Sequence, residues 1–409
     1  MRRIEFKRYS FNQLILALIC TAILVVLTCQ LGSGSYPTAT VIAPSAVAAT
    51  IPQPAQATAT MEVKGVLPAL LYFISAGDNQ VWRLERDAET LKKITFENSA
   101  VTDFGISPAD SALAYVSDNK LIRTGADGRD RTVLVKGPAL TQDDWEGHVT
   151  GEISSPCWSP DGTRIAYGMN GANLIPAMGG EAQILQPIDP IPDLNSGVPP
   201  GPVRFYQPDT WSLDGTCLLL SFSFFMEGGG LAVKNLADGS LVVLNNSEGM
   251  VCCYPAWSLD NQYIYYADDS VGMVSPGLWR ASTSTGESST LIPGGTDPNF
   301  NLIAYPQPSI DGQLYFFMAS VTGFPESDSN LTMYRAGMDG VSRRVALRAD
   351  THMIDTALWA KDMSGAVIME AVSTNPENNS PLVWLPADGS PAVALPATGV
   401  GYMSLRWGY

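Results

Sequence analysis

The chain has 409 residues and a formal charge of −16, from 24 lysines and arginines against 40 aspartates and glutamates, with two histidines. Such a surface repels a phosphate lattice, so no nucleic-acid partner is expected. Charged residues form 16% of the chain, below the roughly 25% of an ordinary soluble protein, while 37 glycines and 29 prolines mark many turns, the composition of an all-β protein.

The chain opens on a basic head, Arg2, Arg3, Lys7 and Arg8 against Glu5, which leaves −19 for the remainder, so the acidity belongs to the folded part. An apolar run over residues 14–27 follows, broken only by Cys20 and Thr21. Counted over residues 11–31 the segment spans 21 residues, close to the ~20 that cross a bilayer. The basic residues ahead of it orient the rest of the chain outward. Three readings stand: an uncleaved membrane anchor, a lipid on Cys29, and secretion after cleavage near Ala46-Val47-Ala48. Cys29 follows Val26-Leu27-Thr28 much as in a bacterial lipoprotein box. Residues 32–61 carry no charged side chain and are rich in Ala, Thr, Ser and Pro, which reads as a disordered tether. The expected organisation is an anchor or lipoprotein signal over 1–31, a tether over 32–65 and a folded domain over 66–409 on the extracytoplasmic side.

From Leu67 onward the sequence repeats itself. Pro156-Cys157-Trp158-Ser159-Pro160-Asp161-Gly162 recurs as Asp209-Thr210-Trp211-Ser212-Leu213-Asp214-Gly215, as Pro255-Ala256-Trp257-Ser258-Leu259-Asp260-Asn261 and as Gln307-Pro308-Ser309-Ile310-Asp311-Gly312. With the weaker copies, the anchor positions are Ile106, Trp158, Trp211, Trp257, Pro308, Trp359 and Trp407, spaced by 52, 53, 46, 51, 51 and 48 residues. After the anchor, Ser-x-Asp-Gly makes a tight turn in which Asp bonds its own backbone and Gly takes φ > 0. An alternating second strand follows, such as Ile165-Ala166-Tyr167, then a third marked by Trp82, Ile122, Trp279, Tyr334 or Trp384. A second turn at Asp127-Gly128, Asp238-Gly239, Asp339-Gly340 or Asp388-Gly389 leads into a fourth strand. Four strands and two turns per period predict a propeller blade. Residues 70–96 lack an anchor strand and residues 400–409 supply only one, so the last strand is expected to complete the first blade and close a seven-bladed ring.

These turns resemble the TolB-type, WD-repeat-like propeller repeats of bacterial envelope proteins, in which a Trp-Ser-Pro-Asp-Gly turn follows the first strand of each blade. The resemblance covers residues 67–409 and is most specific in the blades of Trp158, Trp211 and Trp257. It implies the fold; propellers of this type serve as partner-binding platforms, as gates on serine peptidases and in structural roles.

A Trp or Asp that recurs in every blade serves the architecture, the Trp as a wedge between sheets and the Asp in its turn. His148, in Asp143-Asp144-Trp145-Glu146-Gly147-His148, and His352, in Asp350-Thr351-His352, lack the spacing of a zinc or calcium site. No metal and no cofactor are expected. No Gly-x-Ser-x-Gly elbow occurs, and the hydrolase domain that accompanies related propellers is missing, so no catalytic residue and no peptidase activity are expected. The alternative is a lyase- or lactonase-type enzyme with a carboxylate-held metal at the channel mouth, where Asp103, Asp209 and Asp355 precede their anchors without forming a recognised set. A purely structural envelope component is the other alternative. Cys252 and Cys253 are placed to form a vicinal ring or to bridge Cys217, or with Cys157 to remain buried thiols.

Insertions precede the anchor strands at 138–152, 187–206 and 294–303, and the loop between second and third strands lengthens along the chain. Both kinds emerge on one rim, and binding is expected on variable loops borne by a rigid scaffold. The candidate binding residues are Asp143, Asp144, Trp145, Phe205, Tyr206, Phe324, Glu326 and Asp328. The expected role is non-catalytic binding of a protein or envelope polymer, with a basic partner favoured by the acids.

Overall fold

The computed structural model describes residues 65–141, 145–191, 203–224, 228–248, 255–270, 276–323, 329–371, 380–400 and 404–409. The expected N-terminal anchor with Cys29, the expected tether up to residue 64, and Cys252 and Cys253 lie outside the described residues. No described helix is long and apolar enough to cross a membrane.

Seven antiparallel sheets follow in chain order. Blade 1 holds Leu71–Ile74, Val81–Leu84 and Leu91–Lys93, with Leu405–Trp407 added at the inner edge. Blades 2 to 5 begin on the inner strands Val101–Ile106, Ser154–Trp158, Arg204–Trp211 and Ala256–Trp257. Blades 6 and 7 begin on Asn299–Pro308 and Ile354–Trp359. All seven anchors therefore end an inner strand, as the spacing predicts. The ring closes in the register Leu71↔Trp407, Tyr72↔Arg406 and Phe73↔Leu405.

The turns form for the reasons their residues supply. In blade 3, Asp161 Oδ1 accepts the Ser159 hydroxyl at 2.5 Å and the Thr163 amide at 3.0 Å, and Gly162 sits at φ +69. A side chain at that φ is strained, which is why glycine recurs there. Ser212 with Asp214 and Ser258 with Asp260 repeat the same bonds.

Burial lies between blades rather than within them. Among the described residues there is one apolar cluster for each of the seven junctions. One joins Leu71, Phe73, Leu405 and Trp407 of blade 1 to Val367, Met369 and Trp384 of blade 7, and another joins Tyr72 and Ile74 to Phe104 and Tyr115 of blade 2. The C-terminal strand therefore supplies apolar area where the two ends of the chain meet, and truncating one buried aromatic of this kind costs about 3–5 kcal/mol.

Two elements differ from expectation. A short strand, Gly295–Thr296, pairs with Asn299–Pro308 and makes blade 6 five-stranded. A helix, Trp145–Gly151, stands in the insertion between blades 2 and 3, where the sequence suggests only a loop.

Candidate functional site

The longer connections between strands leave from one rim. The connection between second and third strands is Asp118-Asn119 in blade 2 and residues 371–379 in blade 7, whereas the Ser-x-Asp-Gly turns opposite stay at five residues, as in 159–163 and 212–216. The helix Trp145–Gly151 is fastened to this long-loop rim by Asn119. Asn119 Nδ2 donates to the Pro138 and Gly151 carbonyls at 2.8 and 2.9 Å, and its Oδ1 accepts the Ile153 amide at 2.8 Å.

On that helix His148 Nδ1 lies 3.2 Å from Glu152 Oε2, and Nε2 lies 3.2 Å from the Thr141 carbonyl. His148, Glu152, Ser154, Asn170, Tyr206 and Gln207 line a 250 Å³ cavity between blades 3 and 4. At Gly171, with φ +106, a Cβ would stand 2.2 Å from the Gln186 carbonyl, so only glycine fits there. An imidazole, a carboxylate, an amide and the Ser154 hydroxyl beside the Tyr206 ring can hold a polar side chain.

Of the expected binding residues, Asp143, Asp144, Phe324, Glu326 and Asp328 lie outside the described residues, and Trp145 opens the helix. Phe205 and Tyr206 require correction as exposed loop aromatics. They stand in the strand Arg204–Trp211, 8% and 3% exposed. Tyr206 packs edge-on to Phe222 at 5.7 Å, and Phe222 to Phe224 at 5.5 Å. The Arg204 guanidinium covers both phenylalanines at 5.3 and 5.9 Å and pairs with Glu248 at 3.1 Å. The physical reason is sheet extension: Ser221-Phe222-Ser223-Phe224 alternates past the usual strand length and gives Phe205 and Tyr206 a sheet to join. That alternation is the signal that was available for Arg204, Phe222 and Phe224; His148 and Glu152 become partners through the unforeseen helix. Burial pushes the Tyr206 hydroxyl up.

The axial channel is a second polar region. Arg406, Asp103, Cys157 and Asp209 stand on the inner strands of blades 1, 2, 3 and 4. Arg406, on blade 1, acts electrostatically on Asp103, Cys157 and Asp209 of blades 2, 3 and 4. Asp103 accepts the Phe104 and Ser155 amides at 2.7 and 2.9 Å, and burial raises its carboxyl against the pull of Arg406. Burial pushes Asp209 up to about 7, again against Arg406, and raises the Cys157 thiol. Asp355 is instead engaged with the Ser380 hydroxyl. Among the described residues no three His, Cys, Asp or Glu side chains gather to hold a metal ion.

His352 is bound into a charged network, Nδ1 2.9 Å from Glu370 and Nε2 3.1 Å from Asp350. Buried Arg348 grips Asp350 at 2.7 Å and donates to the Pro386 and Ser390 carbonyls at 2.8 and 2.7 Å. This arrangement ties the entry of blade 7 to its third and fourth strands. Cys157 and Cys217 are free thiols.

No protein-family model matches the chain. No curated protein matches it. Among solved structures, TolB from Acinetobacter baumannii is 15% identical, with 84% of this chain and 67% of that chain covered and a TM-score of 0.44. A putative TolB from Agrobacterium tumefaciens is 15% identical over 68% of this chain and 87% of that one, with a TM-score of 0.38. A puromycin hydrolase is 12% identical over 82% of this chain, with a TM-score of 0.53, and this chain covers 53% of its length. At these identities the likeness is one of fold alone, carried by the puromycin hydrolase.

Proposed function

We propose that the chain is a non-catalytic binding scaffold whose long-loop rim takes a protein or an envelope polymer, the propeller being held outside the membrane by the N-terminal segment. The observation that carries the binding role is the concentration of long connections, with the His148, Glu152 and Gln207 cavity, on one rim of a ring whose other rim is short turns. A rigid scaffold with variable loops lowers the ordering cost of binding. The polar walls favour a ligand that carries hydrogen-bonding side chains, and basic groups on it would be matched by Glu152. The anchored topology rests on the basic head and the 21-residue apolar span, and protease added to intact cells tests it by reaching the tether. Replacing His148 and Gln207 by Ala should weaken capture of the partner from native membranes at unchanged melting temperature; unchanged capture would remove the assignment.

A second reading rests on Asp209. A channel carboxyl pushed up to about 7 is poised for proton transfer, the property an enzyme at the channel mouth would use. Screening small lactones and uronides with the wild type and Asp209→Asn tests that reading.

A further inference from the structure

The rim opposite the long loops carries its own chemistry. In the Ser-x-Asp-Gly turn the hydrogen bonds are made by the serine and the aspartate. The residue between them contributes nothing to the turn and faces outward. At that position Leu213, Leu259 and Ile310 are 56%, 49% and 91% exposed, and Met178, in the second turn of blade 3, is 79% exposed. Folding does not require these apolar side chains. Successive turns also touch. The Leu213 amide donates to Asn261 Oδ1 of the next blade at 2.9 Å, and a Cβ at Gly215 would lie 3.4 Å from Pro160 Cδ of the blade before. The turn apices of blades 3, 4 and 5 thus form one strip.

Charge indicates what covers it. The six turns of these blades, residues 159–163, 177–182, 212–216, 236–240, 258–262 and 283–287, each carry one carboxylate and no lysine or arginine. The serine hydroxyls hold Asp161, Asp214 and Asp260 below the usual carboxylate range, Asp161 at about 2. The nearest cations each pull on one turn carboxylate, Arg164 on Asp161, Lys234 on Asp238 and Arg280 on Asp260, while contacting other groups: Arg164 lies over the Trp211 ring at 5.0 Å, Lys234 donates to the Gly239 carbonyl at 2.6 Å, and Arg280 covers the Tyr263 ring at 4.4 Å. A second copy of this rim, or an anionic membrane, would meet like charge. A cationic chain would not.

We propose that the short-turn rim of blades 3 to 5 is a second docking surface, for a basic protein segment that lays apolar side chains along Leu213 and Leu259 and sets its cations on the surrounding carboxylates. Opposite potentials select such a partner and speed its encounter, and the apolar strip supplies contact area that salt does not screen. This surface is separate from the long-loop rim and does not depend on the function assigned there.

The test uses the full chain and two fluorescein-labelled peptides, one alternating lysine with leucine and one alternating glutamate with leucine, followed by anisotropy at low and high salt. The lysine peptide should bind and the glutamate peptide should not. Leu213→Ser with Leu259→Ser should weaken binding tenfold or more at an unchanged melting temperature. Glu181→Lys with Glu287→Lys should weaken it and flatten its salt dependence. Glu287 enters its turn through backbone bonds to Ser282 and Thr285 that the substitution keeps, so this variant decides the matter if the serine variant does not fold. Equal affinity of wild type and both variants overturns the proposal. So does loss of binding only on replacing His148, self-association through Leu213, or binding of phosphatidylglycerol vesicles that Leu213→Ser abolishes.

Discussion

The indole Nε1–H of Trp407 donates to the carbonyl of Trp359 at 2.8 Å. These two anchors end the inner strands of the first and last blades, so the bond spans the junction where the ring closes. The same tie recurs from Trp158 to Gly105 at 3.2 Å, from Trp211 to Cys157 at 3.2 Å, from Trp257 to Thr210 at 3.4 Å and from Trp359 to Tyr305 at 2.8 Å. Each joins a blade to the one before it. Where the anchor is Ile106 or Pro308 there is no indole to make it, so the tryptophan of this repeat is both a wedge and a strap between sheets.

Closure through the last strand predicts that Trp407→Ala costs about 3–5 kcal/mol. Trp407→Phe, which keeps most of the buried area and loses the bond, should cost nearer 1 kcal/mol. Denaturant unfolding measures both. Deleting residues 400–409 should abolish cooperative unfolding, and a truncated protein that melts at the wild-type temperature would contradict closure.

The burial of Tyr206 separates two aromatic residues of the long-loop rim. Tyr206→Ala removes a ring packed on Phe222 and should lower stability by about 3 kcal/mol, as should Trp211→Ala or Trp257→Ala. Trp145→Ala, at the start of the insertion helix, should weaken capture. Thermal melts of the first three variants decide, and a Tyr206→Ala protein as stable as wild type would return that residue to the loop surface.

Asp209 sets a pH dependence of known sign. Its folded pKa of about 7 lies above the ordinary carboxyl value of 3.8, so the folded state holds a proton that the unfolded chain has released. That stability is complete below pH ~4 and is lost as pH rises through ~7. Asp209→Asn should therefore leave stability at pH 4 unchanged and raise it at pH 8, by an amount on the order of 2 kcal/mol once water in the channel is allowed for. Asp161 runs the other way: held at about 2 by the Ser159 hydroxyl, it contributes above pH ~4 and loses that contribution toward pH 2. Denaturant midpoints between pH 2 and 8 read both limbs, and a flat difference between Asp209→Asn and wild type would contradict the burial of this carboxyl.

The fold was legible because each blade repeats its punctuation. Ser159-Pro160-Asp161-Gly162 and its copies fix the first turn by local hydrogen bonds, and the absence of an anchor before Leu71 with a spare one at Trp407 is enough to infer closure. The rim was less legible. Helix Trp145–Gly151 depends on Asn119, 26 residues earlier in the sequence, gripping its end, a tertiary contact that no local pattern carries. The prolines before Phe205 and Tyr206 suggest loop, yet the partner strand through Phe222 and Phe224 draws them into the sheet. The channel group of Asp103, Asp209 and Arg406 arises only when blades 1, 2 and 4 face one axis, so the sequence offers its members and not their meeting.

The most direct test of the binding role places a photo-crosslinking amino acid at His148, with Val133 on an outer strand as the control, in the full chain within native membranes. A discrete, saturable adduct from position 148 that is absent from position 133 is the expected result. A folded protein that gives no adduct from position 148, or the same adducts from both positions, would contradict the assignment of the long-loop rim as the site where this propeller meets its partner.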